Sequence, residues 1–284
     1  MPRHKRLLVA AASMLLVAQL RFQPAALTTL ASGELAMLDT RNGVAKLSSS
    51  NAVTHLINGF GAYSASGFAE VGNGEFLVTQ EMRFKSSATL IRLARFNTSG
   101  SRSSEWVLPP GGALAGIVVD PVTRTAYCTD SQTNAVYRLA IDNPKATYAV
   151  VTRMPEAGNL GPIALDVPRR RLLIGDVQKG AIVSVGMDDR KIITLDARTV
   201  AEPVAIAADT KNDRVFIADA SARRIWCGNL SKWKLQPFNV AQKLGFPIGL
   251  AIARDGSLWV ADAKQNVVYR FDTRDGRTLQ IVKP

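Results

Sequence analysis

The chain has 284 residues, 47% of them hydrophobic and 20% charged, with a formal net charge of +12. This composition excludes a disordered or collagen-like chain and can fill the core of one large all-β domain. With two cysteines and two histidines, it also excludes a disulfide-dense scaffold and leaves too few nitrogen and sulfur ligands for a zinc site.

The N-terminal stretch MPRHKRLLVAAASMLLVAQLRFQ has a basic head (Arg3, His4, Lys5, Arg6) and then an apolar run over residues 7–20. Such a run is short for a bilayer span and has the form of a signal-peptide core. Residues 1–22 are therefore expected to be a signal segment; cleavage after Ala18 is plausible, although no A-x-A motif is present. A retained hydrophobic helix and an uncleaved anchor are the alternatives, and Arg21 just after the run argues against the anchor. The expected localisation is secreted or periplasmic.

From residue 23 onward one unit recurs. QPAALTTLASGELAMLD (residues 23–39) aligns without a gap on SASGFAEVGNGEFLVTQ (64–80) and on FPIGLAIARDGSLWVAD (246–262). Between them, with turns of varied length, come LAGIVVDPVTRTAYCTD, GPIALDVPRRRLLIGD and EPVAIAADTKNDRVFIAD. The closing residues Asp39, Gln80, Asp130, Asp176, Asp219 and Asp262 are spaced by 41, 50, 46, 43 and 43 residues. Each copy reads as an inner strand, a polar or glycine turn, a second strand ending on Asp, a third strand and a less regular fourth (AVTHLI, SEWVLP, TYAVVT, KIITLD, LQPFNV, TLQIVK). Short strands at this period predict an all-β, six-bladed β-propeller of four-stranded antiparallel blades. The blades are expected over residues 23–60, 61–110, 111–155, 156–198, 199–242 and 243–284. Because a lone blade cannot cover both faces of its sheet, the ring must close, here by contact between a complete first and a complete sixth blade.

The repeat register assigns roles. Val136, Ile182, Ile225 and Val268 fall on one buried slot, and Gly33, Gly74 and Gly256 on a tight turn that needs positive φ. Cys128 shares an aliphatic slot with Ile174, Ile217 and Val260, whereas Cys227 lies two blades away. That separation is too great for a disulfide, so two free thiols are expected. His55 falls in an outermost strand, far from the axis, so no His-based catalytic pair can form there. The once-per-blade Asp is expected to be structural, accepting backbone N–H bonds in the next turn, with Gln80 able to take the same bonds.

The copies PVAIAADTKNDRVFIADASARRIW and PIGLAIARDGSLWVADAKQNVVYRFD resemble NHL-type repeats of six-bladed propellers, and AYCTD resembles the YWTD-type repeat with Cys128 in place of its Trp. More distantly, the chain is similar to the calcium-dependent lactonases of the regucalcin and gluconolactonase type. That resemblance implies a Glu near the first lead-in and Asn and Asp ligands for a hard cation. Here the inner strands are expected to begin at Gln23-Pro24, Ser64-Ala65, Ala113-Leu114, Gly161-Pro162, Glu202-Pro203 and Phe246-Pro247, so only Glu202 offers a carboxylate and the lactonase asparagines are replaced by Ile163, Val204 and Ile248.

Two functions remain. The first is an exported, non-enzymatic scaffold with no cofactor. The alternative is a lactonase-like hydrolase with a divergent site around Glu70, Asn159 and Glu202, and only this reading calls for calcium. Glu70 breaks an inner-strand slot held by Thr29 and Ile252, so it either meets solvent at the strand end or lines the channel. The insertion EMRFKSSA in blade two offers a rim of Arg83, Phe84 and Lys85. The candidate ligand-binding residues are thus Glu70, Gln80, Asn159, Glu202, Arg83 and Lys85. The positive charge permits loose attraction to anionic surfaces, a weak membrane contact included, without specifying one, and the expected partner is a protein or a polyanionic glycan. Nucleic acid is not expected, because no aromatic residues interleave with the basic turns. The chain is expected to be monomeric.

Overall fold

A computed structural model describes residues 24–39, 42–47, 52–84 and 89–283. The expected signal segment, residues 1–22, and Lys85 lie outside them. Blade one comprises β1 (Pro24–Thr29), β2 (Leu35–Asp39), β3 (Gly43–Leu47) and β4 (Val53–Asn58). Blade two comprises β5 (Ser64–Gly72), β6 (Glu75–Arg83), β7 (Thr89–Phe96) and β8 (Arg102–Val107). Blade three comprises β9 (Leu114–Asp120), β10 (Thr125–Asp130), β11 (Ala135–Ala140) and β12 (Ala149–Arg153). Blade four comprises β13 (Leu160–Asp166), β14 (Arg171–Asp176), β15 (Ala181–Gly186) and β16 (Ile192–Asp196). Blade five comprises β17 (Pro203–Asp209), β18 (Arg214–Asp219), β19 (Arg224–Asn229) and β20 (Gln236–Phe238). Blade six comprises β21 (Pro247–Ile252), β22 (Leu258–Asp262), β23 (Val267–Phe271) and β24 (Thr278–Val282). Within each blade neighbouring strands pair in sequence order and antiparallel, which is the expected all-β six-bladed propeller.

Six apolar clusters hold the ring, one in each gap between adjacent blades. The second strands explain how one sheet serves two gaps. Along β14, Leu172 and Ile174 face blade three while Leu173 faces blade five, and all three are fully buried. Burial on both faces turns these strands into near-continuous apolar runs rather than alternating ones. Val136, Ile182, Ile225 and Val268 are each 0% exposed, as their shared slot requires. Gly33, Gly74 and Gly256 have φ of +90°, +76° and +82°.

The ring closes without a shared strand. β1 lies beside β21, the Thr29 hydroxyl donates to the Ile252 carbonyl at 2.7 Å, and Leu27, Met37, Trp259 and Val268 share one cluster.

Each inner strand also carries an extra residue just after its start, for example between Pro24 and Ala26, Ala65 and Gly67, and Pro203 and Ala205. In blade four this corrects the sequence register. Leu160, not Gly161 or Pro162, pairs with the closing Asp176, so Asn159 occupies the lead-in slot held elsewhere by Ala113, Glu202 and Phe246. The Gly-Pro pair resembled the leading proline of other copies and shifted the alignment inward.

Candidate functional site

The chain runs down each inner strand and up the second. One end of the ring, the upper face, therefore carries the loops leading into the inner strands together with the turns between second and third strands. The lower face carries the remaining turns.

On the upper face the repeated aspartate ties these two kinds of loop together. Asp176 accepts the N–H groups of Gly158 and Asn159 from the lead-in loop and that of Lys179 from the turn. Asp262 does the same with Gly245, Phe246 and Gln265, and Asp130 with Ala113, Gln132 and Thr133. Asp219 accepts from Ala201, Glu202 and Ala222 and also from the Trp226 indole. Burial alone would raise the Asp219 pKa, but these donors outweigh it and hold the carboxyl below the usual carboxylate range. These carboxylates are structural, as the repeat implied.

Blade two differs. Gln80 accepts not a turn N–H but Arg92 Nε at 2.9 Å. The Arg92 guanidinium also meets Glu105 at 2.6 Å and stacks 3.6 Å from the centre of the Tyr63 ring. The β6–β7 ladder continues past Gln80 to pair Arg83 with Thr89, so blade two raises a hairpin above its neighbours.

The axial channel is lined mainly by small and aliphatic residues. Its upper cavity, about 260 Å³, is lined by the residues at the bulges, including Ala25, Ser66, Ala115, Gly161, Val204 and Ile248. The Ser66 hydroxyl is committed to the Leu114 carbonyl and Thr79 Oγ1, at 2.7 and 2.8 Å. A lower cavity of about 370 Å³ has Glu70 at its rim. Among the described residues no group of three or more His, Cys, Asp or Glu side chains could hold a metal ion. His55 is exposed on β4. Both cysteines are free; burial pushes the Cys128 thiol up to about 12 and raises that of half-buried Cys227.

The five described residues among the six singled out from sequence do not converge. Glu70 sits at the lower end, where its carboxylate accepts the Ala31 N–H of blade one at 2.6 Å. Asn159 and Glu202 occupy equivalent lead-in positions of neighbouring blades on the upper face, the first exposed and the second half-buried. Arg83, also at the upper end, pairs with Glu81 at 2.5 Å, beside exposed Phe84 on the blade-two hairpin.

Ion pairs join turns on the lower face, and sequence reading missed them. On the lower face many arginines bind acids and carbonyls, often across a blade boundary, while Arg190, Lys191, Lys211, Lys232, Lys234 and Arg254 are exposed and have no acidic partner among the described residues. Arg169 reaches Asp213 at 2.5 Å, Arg170 reaches Asp188 at 2.8 Å and Arg171 reaches Asp166 at 2.8 Å. Arg214 binds Asp209 at 2.7 Å and the Thr273 carbonyl of blade six at 3.2 Å. On the upper face of blades four to six, Arg198, Arg223, Arg224, Lys243 and Lys264 are exposed, and none has an acidic partner among the described residues. In the same arc Asp176, Asp219 and Asp262 are buried, Asp196 and Glu202 are half-buried, and Glu156 is exposed. One signal was available in the sequence. Arg223 stands at a left-handed turn position, φ +52°, which Asn134, Gly180 and Asn266 fill in other blades.

No protein-family model matches the chain. Among curated proteins, Protein cueball of Drosophila erecta is 23% identical over 159 residues, 55% of this chain and 25% of that protein, so the chain spans about a quarter of that relative's length. Among solved structures, a chain of the nidogen/laminin complex superposes with a TM-score of 0.71 at 18% identity, covering 93% of both chains. A streptogramin B lyase gives 0.64 at 15% identity over 86% of this chain and 92% of its own. A catalytically inactive virginiamycin B lyase from Staphylococcus aureus with quinupristin gives 0.62 at 17% identity over 93% and 84%. These likenesses establish the six-bladed propeller fold, which serves binding proteins and lyases alike.

Proposed function

We propose that the protein is an exported binding scaffold that engages a protein partner through its upper face. The observation that carries this reading is an exposed aromatic residue set among solvent-facing cations at a groove on the upper face. Arg223 and Lys264 stay open to solvent on either side of Phe246, 41% exposed, where the upper edges of blades five and six form a groove. Unpaired charge around an exposed aromatic is a surface suited to another macromolecule. The nidogen/laminin complex supports the reading, since a chain of the same fold is solved there in a protein complex. The lactonase-like alternative draws less support, because Glu70 lies at the opposite end of the channel from Asn159 and Glu202.

The test is positional. A photo-crosslinking amino acid is installed at Phe246 on the upper face or at Val122, 76% exposed on the lower face, and the protein is irradiated in extract of its source cells. Adducts with a defined protein from position 246, suppressed by excess unlabelled protein and absent from position 122, are expected. Equal yields from both positions, or none from either, would refute the scaffold reading. Turnover of a lactone or ester panel that Glu202→Gln abolishes would favour the hydrolase instead.

A further inference from the structure

We infer that the groove between the upper edges of blades five and six is a docking site for an acidic segment of a protein partner that carries an apolar side chain among its carboxylates; this rests on the scaffold reading above. The groove has a volume of about 450 Å³. One wall is the blade-five turn, with Ser221 and Arg223; the other is Phe246 and the blade-six turn, with Lys264. Ala220, 1% exposed, and Ala263 also line it, so the surface between the charged rims is apolar.

Three features select the occupant. Phe246 is 41% exposed but its backbone is fixed. Its N–H donates to Asp262 Oδ1 and its carbonyl accepts the Ala263 N–H, both at 3.0 Å. The ring is thus held at the groove by a rigid frame, which lowers the ordering cost of binding. Arg223 and Lys264 flank it from opposite walls, exposed and without an acidic partner among the described residues. The acids closest in sequence, Asp219 and Asp262, lie buried beneath, with their oxygens on backbone N–H groups, so a ligand approaching from solvent meets cations.

A concave groove cannot lie flat on a bilayer. A sulfated glycan, for its part, would leave the Phe246 ring and the alanines without an apolar partner. An extended segment of alternating carboxylate and aliphatic residues satisfies both rims and the apolar surface at once.

The experiment measures binding of a fluorescent glutamate-rich peptide with one central leucine to the full chain, by anisotropy at low and high salt. The same peptide with glutamines, a heparin-type glycan and phosphatidylserine vesicles serve as rival probes. The glutamate peptide is expected to bind at least tenfold more tightly than the glutamine peptide and to weaken with salt. Phe246→Ala should weaken it about tenfold or more, and Arg223→Glu with Lys264→Glu should abolish it. Unchanged melting temperatures, with recovery of binding in Phe246→Leu, separate lost contact from lost folding. Equal binding of the two peptides, indifference to either set of substitutions, or a greater loss of glycan or vesicle binding than of peptide binding would overturn the inference. If position 246 still crosslinks a protein under those results, the scaffold stands and only the acidic segment is wrong. If it does not, both fall.

Discussion

Asp219→Asn is the sharpest test of how the upper face is held. The carboxylate binds Ala201 N and Trp226 Nε1 through Oδ2, at 2.9 and 3.1 Å, and Glu202 N and Ala222 N through Oδ1, at 3.2 and 3.1 Å. An amide must turn its NH2 toward one pair or the other, so two donors then face a donor. Hydrogen bonds to a charged group contribute about 1.5–3 kcal/mol each, which puts the loss of two at about 3–6 kcal/mol. For a domain of this size that lowers Tm by roughly 10 °C. Urea unfolding of wild type and variant at pH 7 measures it. The pH dependence supplies a second check. The folded pKa of Asp219 lies below the unfolded value of about 3.9. Its stabilisation is therefore complete above that value and disappears as the pH falls through the folded pKa. The gap between the proteins should stay constant from about pH 5 to pH 8 and narrow below about pH 4. A loss under about 1 kcal/mol at pH 7, or a gap that widens in acid, would refute the assignment of Asp219 as the tie between the loops.

Further outcomes follow from the same geometry. In the native protein a thiol reagent should modify Cys227 and leave Cys128 untouched until unfolding, and Cys128→Ser should cost about 1–3 kcal/mol by burying a hydroxyl; loss of both thiols at equal rates would contradict the packing. Arg171→Met removes bonds to buried Asp166 and to the Leu230 carbonyl of blade five, and is expected to cost about 2 kcal/mol in urea denaturation with little dependence on salt. Glu70→Gln keeps an acceptor for the Ala31 N–H and should change stability by less than about 1 kcal/mol, and added calcium should leave the melting temperature of both forms unchanged.

The fold was legible because the propeller repeats one pattern of burial. Val136, Ile182, Ile225 and Val268 occupy one slot and are equally buried, and Cys128 fits the aliphatic slot beside them. Blade four was misread by two residues because Gly161-Pro162 resembles the leading proline of other copies, and only pairing to Asp176 reveals Leu160 as the first residue. Gln80 was expected to copy the aspartates, but its partner Arg92 lies on the next strand of the hairpin, where no turn pattern points to it. The pairing of charges across blades was not legible at all. Pairs such as Arg169 with Asp213 join different blades, and the groove sets Arg223 of one blade beside Phe246 and Lys264 of the next.

Five of the six gaps in the ring are spanned by a connecting loop: residues 59–63, 108–113, 154–159, 197–202 and 239–246. Between blades six and one no loop runs among the described residues, and side-chain packing and the Thr29 hydrogen bond bridge the gap. Under mechanical pulling, that is where the circle should part first. A circular permutant joining residue 282 to residue 24 and opened within 154–159 should build the same circle with its breaking point moved to blades three and four.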